Sequence, residues 1–275
     1  MIGMALTATL MCVSLTSCEP NDDNPAENST STSSSDNKDE SNTKRLAMVM
    51  EYKIEDGRKV LQESYEFVYN DNGKVTEIHE GWSSGGSWQT DITKHTWDGS
   101  KSFTTPWDDP GEYSEYLIDN GRISKELYYY YEEVEETYYY NYNKGHIKEC
   151  GGIYEEEREK HTTFSWNDEQ LSMTVELIDD GEGSNSFIYS NDQTCKGFFP
   201  LLSWLLEDFA ENDIFVAHPE LVGIKTTHLP SEMIEKDCTT TFEYEFDTEG
   251  YIVGCFTKED YTLSSRNNYY TFSWE

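Results

Sequence analysis

The stretch YEFVYNDNGKVTEI, residues 65–78, decides the fold class of this chain. Apolar and polar side chains alternate on both sides of its Asp-Asn-Gly segment, which is the pattern of β-strands with one buried face. Asn72 and Gly73 are residue types that tolerate the positive φ of both central positions in a type I′ turn. The stretch therefore predicts a β-hairpin.

The predicted turn determines which residues face each other across this hairpin. A type I′ turn at this point would pair Phe67 with Ile78. It would also pair Tyr69 with Thr76, so that most aromatic side chains share one face. A calcium loop of the EF-hand kind is the alternative for an Asp- and Asn-rich turn. It needs about six oxygen ligands over roughly 12 residues with a closing glutamate, and the stretch lacks that spacing.

The same pattern recurs along the chain. Similar segments are SEYLIDNGRISKEL, TYYYNYNKGHIKEC, TTFSWNDEQLSMTV and FEYEFDTEGYIVGC. Four successive turns carry a glycine, namely Gly73, Gly99, Gly121 and Gly145. Their spacing of roughly 24 residues fits two strands and two turns. The repeat predicts an all-β fold, an antiparallel meander of hairpins curled into a barrel-like or strongly curved sheet, since open edges invite aggregation.

Two later copies allow the register to be predicted independently. A type I′ turn at residues 120–121 would pair Ile118 with Ile123. The same turn at residues 144–145 would pair Tyr142 with Ile147.

Two segments depart from the repeat. The final NYYTFSWE, residues 268–275, resembles half a repeat, and we expect it to pair with the first strand near residues 48–54 and close the sheet. FFPLLSWLLEDF, residues 198–209, has leucines at helical spacing after Pro200, a residue suited to a helix start. It predicts one short helix near residues 199–210, packed on an open end or edge of the sheet.

The N-terminal segment indicates export. An apolar stretch ends in Leu-Thr-Ser before Cys18, which resembles the lipobox of bacterial lipoproteins, although no basic residue precedes the apolar run. The stretch is too short to span a membrane. We expect residues 1–17 to be a signal peptide, Cys18 the lipid attachment site, and the polar residues 18–45 a disordered acidic and Ser-rich tether. A single domain of hairpin repeats would follow over residues 46–275.

Charge and cysteine usage narrow the classes of function. The net charge of -34, from 54 acidic and 20 basic residues, repels nucleic acid. Four cysteines follow the tether: Cys150, Cys195, Cys238 and Cys255. Up to two disulfides and free thiols both remain open, and the pairing cannot be read from the sequence. The cysteines lack CxxC spacing and the six histidines lack paired spacing, so we expect neither a metal nor a cofactor.

The candidate ligand-binding residues are tryptophans. Trp82, Trp88, Trp97 and Trp107 surround a Gly- and Ser-rich loop. The sequence favours their filling the core of the first hairpins. The alternative is an exposed platform on which sugar rings stack. Catalytic residues are not predicted, because the sequence has no nucleophile motif and a chance pair among so many carboxylates carries no weight.

Taken together, these features resemble a known family. The lipobox, the acidic tether, the Tyr-rich hairpins, the FFPLL and THLPSEMIE segments and the final FEYEFDTEGYIVGC hairpin look like the uncharacterised Bacteroidetes lipoprotein domain with a porin-like fold. The resemblance spans residues 46–275 and implies a curved, barrel-like antiparallel sheet. Because the outward faces carry many glutamates, we do not expect a membrane-spanning pore. The resemblance implies no activity.

The expected function is that of a non-enzymatic binding module, lipid-anchored to the outer membrane and exposed at the cell surface. Its partner would be a glycan, a peptide or a protein, and it would touch the membrane only through its lipid. The alternatives are a lipid-tethered hydrolase with a dispersed carboxylate site, and a structural component of an envelope complex.

Overall fold

A computed structural model describes most of the predicted domain. The described residues are 43–106, 109, 111–154, 158–178, 181–190, 192–206, 209 and 212–275. The predicted signal peptide, Cys18, nearly all of the tether and Trp107 lie outside them. Within the described ranges there is no helix long and apolar enough to cross a membrane.

The described residues form one antiparallel sheet of 17 strands in meander order. The strands are β1 (Leu46–Glu55), β2 (Arg58–Tyr69), β3 (Val75–Ser84), β4 (Ser87–Lys94), β5 (Thr96–Asp98), β6 (Ser102–Pro106), β7 (Glu112–Asp119), β8 (Arg122–Tyr130), β9 (Glu133–Asn143), β10 (His146–Tyr154), β11 (Arg158–Asn167), β12 (Gln170–Ile178), β13 (Gly181–Ile188), β14 (Glu232–Ile234), β15 (Cys238–Phe246), β16 (Ile252–Tyr261) and β17 (Ser265–Trp274).

The last strand closes the sheet onto the first. β17 pairs with β1 in a register that joins Val49 to Phe272 and Lys53 to Asn268. β3 pairs with β4, and β5 pairs with β6, while β4 and β5 follow each other across His95 as one interrupted strand. The product is a nearly closed barrel. The predicted meander, its curling and the pairing of the final segment are confirmed.

Two repeat turns have the predicted geometry. Both residues of 120–121 and both residues of 144–145 have positive φ. The flanking strands pair Ile118 with Ile123. They also pair Tyr142 with Ile147. These turns match the right-handed twist of the strands that they join.

The turn of the first hairpin differs from the prediction. Of its two central residues only Gly73 has positive φ, at 72°. The backbone oxygen of Asn70 accepts the N–H of Gly73 at 2.9 Å. The Asn70 side chain accepts two more backbone N–H groups, those of Asn72 and Lys74. A side chain that satisfies local backbone donors supports a longer turn than type I′.

This longer turn shifts the register of the first hairpin. The predicted pair of Phe67 with Ile78 is present. The predicted pair of Tyr69 with Thr76 is wrong, because a bulge places Tyr69 opposite Val75. Val75 consequently faces inward and is fully buried. One extra residue on one strand reverses the side to which its neighbours point.

The chain between β13 and β14 fills one end of the barrel. We call its described residues, 192–206, 209 and 212–231, the plug. Its aromatic rings meet rings from strands all around the barrel, so the plug lies inside. The pairs are Trp204 with Tyr65, Phe215 with Tyr116, Phe209 with Phe164, and Phe199 with Phe242.

The plug contains the predicted helix in a shorter form. A 3-10 helix, Pro200–Leu202, has proline in its first turn, and α1 (Ile214–Ala217) follows later. All residues of both elements are buried. Burial on every side removes the need for one long amphipathic face, so the chain turns repeatedly within the barrel.

Backbone hydrogen bonds attach the plug to the hairpins. Leu221 accepts the N–H of Ile123 at 2.8 Å, and Gly223 accepts that of Ile147 at 3.1 Å. We call this end of the barrel the capped rim and the opposite end the open end. The capped rim carries the repeat turns at residues 70–74, 120–121, 144–145, 168–169 and 247–250.

Candidate functional site

The side chains that point into the barrel change from apolar near the capped rim to ionisable near the open end. Along β2 the inward residues are Phe67, then Tyr65, then Glu63, and the Tyr65 ring lies 4.9 Å from the ring of Trp204 in the plug. Their partners on β3 follow the same order and are Ile78, Glu80 and Trp82. The inner surface of the barrel is therefore lined by apolar side chains around the plug and by ionisable side chains between the plug and the open end.

Carboxylates from four strands and the plug lie close together on this inner surface. We call them the acidic floor, and they are Glu51, Glu63, Glu80, Asp213 and Glu259. β1 and β2 place Glu51 directly opposite Glu63, and β2 and β3 place Tyr65 opposite Glu80. The positive charge of Arg266, which is paired with Glu259 in the sheet, offsets part of this charge.

Burial and nearby negative charge raise the pKa of two carboxyl groups of this floor. Burial raises the pKa of Asp213 to about 7, the charges of Glu80 and Glu63 act in the same direction, and the hydrogen bond from Trp204 opposes them. Burial also raises the pKa of Glu51, with the charge of Glu63 adding to the effect. Desolvation and like charges both disfavour the ionised form of a carboxyl group.

Aromatic rings stand beside these carboxylates. The ring centroid of Trp204 lies 6.5 Å from that of Tyr270 and 4.9 Å from that of Tyr65. The Tyr65 hydroxyl donates to Glu63 at 2.8 Å, and the Trp204 indole donates to Asp213 at 2.9 Å. We call Tyr65, Trp204 and Tyr270 the aromatic triad. Its rings are held in place by the carboxylates that surround them.

Two buried oxygen atoms near the floor have no hydrogen-bond partner in the described part of the chain. Asn268 is 2% exposed and donates from Nδ2 to Glu259 at 3.2 Å. Among the described residues its Oδ1 has no partner. Thr257 lies opposite Asn268 in the sheet, is 3% exposed, and its Oγ1 likewise finds no partner within the described ranges. Both atoms can accept a hydrogen bond from a bound group.

Glu126 is an inward carboxylate outside the acidic floor, and both of its oxygen atoms accept hydrogen bonds. Ser114 and Tyr140 each donate to Glu126 at 2.9 Å. Burial nevertheless raises the pKa of Glu126, against these hydrogen bonds. Tyr116 accepts a hydrogen bond from Asn212 of the plug at 2.6 Å, beside the same carboxylate. This network connects the plug to the wall of the barrel and is a structural feature.

An interior cavity of about 210 Å³ lies against the plug on the far side of the barrel. Leu206 forms its base, and inward residues of β11 to β13, among them Thr162, Thr174 and Asn185, form its wall. A larger depression of about 470 Å³, beside Tyr139 and Gly151, includes outward-facing residues of β9 and β10.

The structure separates the candidate tryptophans. Trp82 faces inward opposite Glu63, near the open end. Trp88 faces outward and covers Gly81, where an added Cβ would meet its ring at 2.6 Å. Trp97 lies at the capped rim and donates to the backbone oxygen of Val75 at 2.6 Å. These three do not form one platform, and a binding role for any of the four stays a prediction.

The acidic floor was not identified from the sequence. A signal for Glu63 exists, because it lies two residues before Tyr65 on the face that carries the aromatic side chains. Asp213 carries no such signal, since it belongs to an irregular segment whose position depends on the whole barrel.

The four cysteines within the described residues are buried free thiols. Burial raises the pKa of the Cys195 thiol to about 12, and it raises the pKa of Cys255 as well. Of the two alternatives left open by the sequence, the structure has the free thiols. In the described part of the chain no three His, Cys, Asp or Glu side chains converge as metal ligands.

Comparison with known proteins supports the fold. No family model matches the chain, and no curated protein sequence matches it. Among solved structures, a porin-like protein from Bacteroides uniformis ATCC 8492 is similar, with a TM-score of 0.66 and 14% identity, over 84% of this chain and 96% of that one. A porin-like protein from Bacteroides vulgatus ATCC 8482 is similar with a TM-score of 0.56 and 12% identity, over 84% of this chain and 98% of that one. The expected porin-like fold is confirmed, while membership of the lipoprotein family stays a prediction.

Proposed function

We propose that the protein is a non-enzymatic binding module whose ligand occupies the open half of the barrel, above the plug. It is anchored to the outer membrane by a lipid on Cys18 and exposed at the cell surface. The ligand contacts the acidic floor and the aromatic triad.

The observation that carries this proposal is the half-buried ionisable floor itself. Like-charged carboxylates next to each other lower the stability of the fold, and a hydrophobic lining would avoid that cost. Residues that oppose stability are concentrated at functional sites. The apolar lining around the plug shows that this chain builds an ordinary core elsewhere in the same barrel.

The charged residues on the outer face of the barrel favour an outer wall that is surrounded by water. Outward residues include Glu66, Glu77, Lys94, Glu115 and Lys258, and four of them, all but Glu115, take part in surface ion pairs. A tether attached to the lipid would hold such a barrel at the membrane without burying its wall.

A bulky side chain introduced into the open half of the barrel should block ligand binding, and this tests the proposed function. Gln89 faces inward opposite Trp82, whereas Ile92 is on the same strand, faces outward and is exposed. The full-length protein is screened by thermal shift against neutral oligosaccharides, short peptides, organic acids and organic amines. We expect Gln89→Trp to weaken binding of the ligand found and Ile92→Trp to leave it unchanged. Equal binding by both variants, or no ligand at millimolar concentration, would contradict the proposal.

A lipid-tethered hydrolase is the second candidate, favoured by one observation. A pKa of about 7 suits Asp213 to act as a general acid at neutral pH, and Glu63 and Glu80 are carboxylates nearby. Paired carboxylates of this kind hydrolyse glycosides. Turnover of chromogenic aryl glycosides by the full-length protein, abolished in Asp213→Asn, would replace the binding proposal with this one.

A further inference from the structure

The negative charge of the acidic floor restricts which charge a ligand can carry. The negative charges of Glu63 and Glu80 act on Asp213, and those of Glu63 and Glu259 act on Glu51. Two basic residues share this face: Arg266, which acts on Glu51, and Lys53, which lies opposite Asn268 and pairs with Glu55. An anionic ligand would add repulsion, and a neutral ligand would leave the repulsion in place. A cationic ligand would relieve it, because each positive charge favours the ionised form of its carboxylate neighbours.

The aromatic triad indicates an organic cation. The faces of Trp and Tyr rings attract ammonium groups through the ring quadrupole. The Trp204 ring is tilted against both tyrosine rings and is half-buried, and its indole nitrogen donates to Asp213, so a cation on its face would also be near a carboxylate. Aromatic faces next to carboxylates suit a ligand with both charge and alkyl carbon.

The buried oxygen atoms point to a ligand rich in hydrogen-bond donors. Asn268 Oδ1 and Thr257 Oγ1 have no partner among the described residues, although each residue is at least nine-tenths buried. An unsatisfied buried acceptor costs about 1–3 kcal/mol, which a donor from the ligand would offset. An ammonium group brings three donors and no acceptor.

We propose that the ligand of the open half is a small amine that carries two or more ammonium groups on an alkyl chain. One ammonium group binds Asp213 over the Trp204 ring, where the charges of Glu63 and Glu80 add to the attraction. Another binds Glu51 and Glu259 beside Asn268. The alkyl carbons between them lie along the aromatic triad. This inference rests on the proposed function, since it requires that the ligand occupy this half of the barrel.

Calorimetric titration of the full-length protein with spermidine tests the inference. Glu63→Gln removes one charge from the floor. Glu66→Gln removes one charge from the outward face of the same strand and is the matched control. We expect saturable binding that Glu63→Gln weakens roughly tenfold, the loss of one charged hydrogen bond, and that Glu66→Gln leaves unchanged. Glu80→Gln is the second floor variant should Glu63→Gln not fold.

The alternative results are distinct. Equal weakening by the inward and outward variants would mean general attraction to an acidic protein, and would overturn the inference. Tighter binding of Mg²⁺ or Ca²⁺ than of spermidine at the same variants would also overturn it, in favour of a metal ion. Absence of spermidine binding, with a neutral or anionic ligand that Gln89→Trp still blocks, would overturn the amine while leaving the proposed function intact. Failure of every ligand would overturn both.

Discussion

The indole nitrogen of Trp204 donates a hydrogen bond to Oδ1 of Asp213 at 2.9 Å. This bond joins two parts of the plug at the surface that faces the open half of the barrel. It holds a carboxyl group where Glu63 and Glu80 oppose its ionisation. The consequences of that arrangement can be measured.

Asp213 makes stability depend on pH. Its pKa rises from 3.8 to about 7 on folding. An acid with a raised pKa in the folded state stabilises the fold fully below its unfolded pKa, and the contribution is lost as the pH rises through the folded pKa. Asp213→Asn keeps an acceptor for Trp204 and removes the ionisation. Above neutral pH we expect the free energy of unfolding of this variant to exceed that of the wild type by a few kcal/mol. This is the energy that corresponds to a pKa shift of about three units.

Melting temperature as a function of pH measures this difference. The gap between the wild type and Asp213→Asn should widen as the pH rises from about 4 to about 8. Glu243→Gln, on the outward face of β15, is the control and should follow the wild type. Parallel curves for the wild type and Asp213→Asn would disprove the assignment.

Gly223 is needed where the plug meets the β9–β10 hairpin. Its φ is +68°, and an added Cβ would lie 2.9 Å from the backbone nitrogen of Ile147 and 2.9 Å from the Tyr142 ring. Gly57 has a similar φ of +74° with open space around it. Gly57→Ala should lower the free energy of unfolding by about 1 kcal/mol, from backbone strain alone. Gly223→Ala should cost roughly 1–3 kcal/mol more, because the contact region must shift. Chemical denaturation compares them, and equal losses would contradict the close contact.

The final strand is required for closure. Deletion of residues 268–275 removes the β17 residues that pair with β1 from Lys53 to Leu46 and exposes the β1 and β16 edges. Phe272, which is buried opposite Val49, is lost with them. We expect the shortened protein to aggregate and lose its cooperative melting transition, since unpaired edges associate. Unchanged melting and solubility would show that the barrel does not depend on this closure.

The buried thiols should resist alkylation. Cys150, Cys195, Cys238 and Cys255 are at most 8% exposed, and reaction requires an accessible thiolate. We expect iodoacetamide to label these four residues in denaturant but not in the native protein, and peptide mass analysis locates the label. Detection of a disulfide between any two of them, before reduction, would contradict the free thiols.

Features that depend on neighbours along the chain can be predicted from the sequence, whereas features that depend on distant contacts cannot. The type I′ turn at residues 120–121 and its pair of Ile118 with Ile123 depend on neighbours along the chain, and both were predicted. The first hairpin was predicted with the wrong turn because one side chain, Asn70, provides acceptors that stabilise a longer loop. Its preference could not be weighed from the residue types at the turn centre alone.

The alternation of side chains, the hairpin repeat and the role of the last strand follow from residue type and local spacing, so the sequence is enough to predict them. The position of the plug inside the barrel, and of Asp213 where the charges of Glu63 and Glu80 act on it, depends on contacts between distant parts of the chain. The curvature of the closed sheet brings together residues that are distant along the chain. The resulting burial and repulsion then give those carboxyl groups properties that no short stretch of sequence encodes.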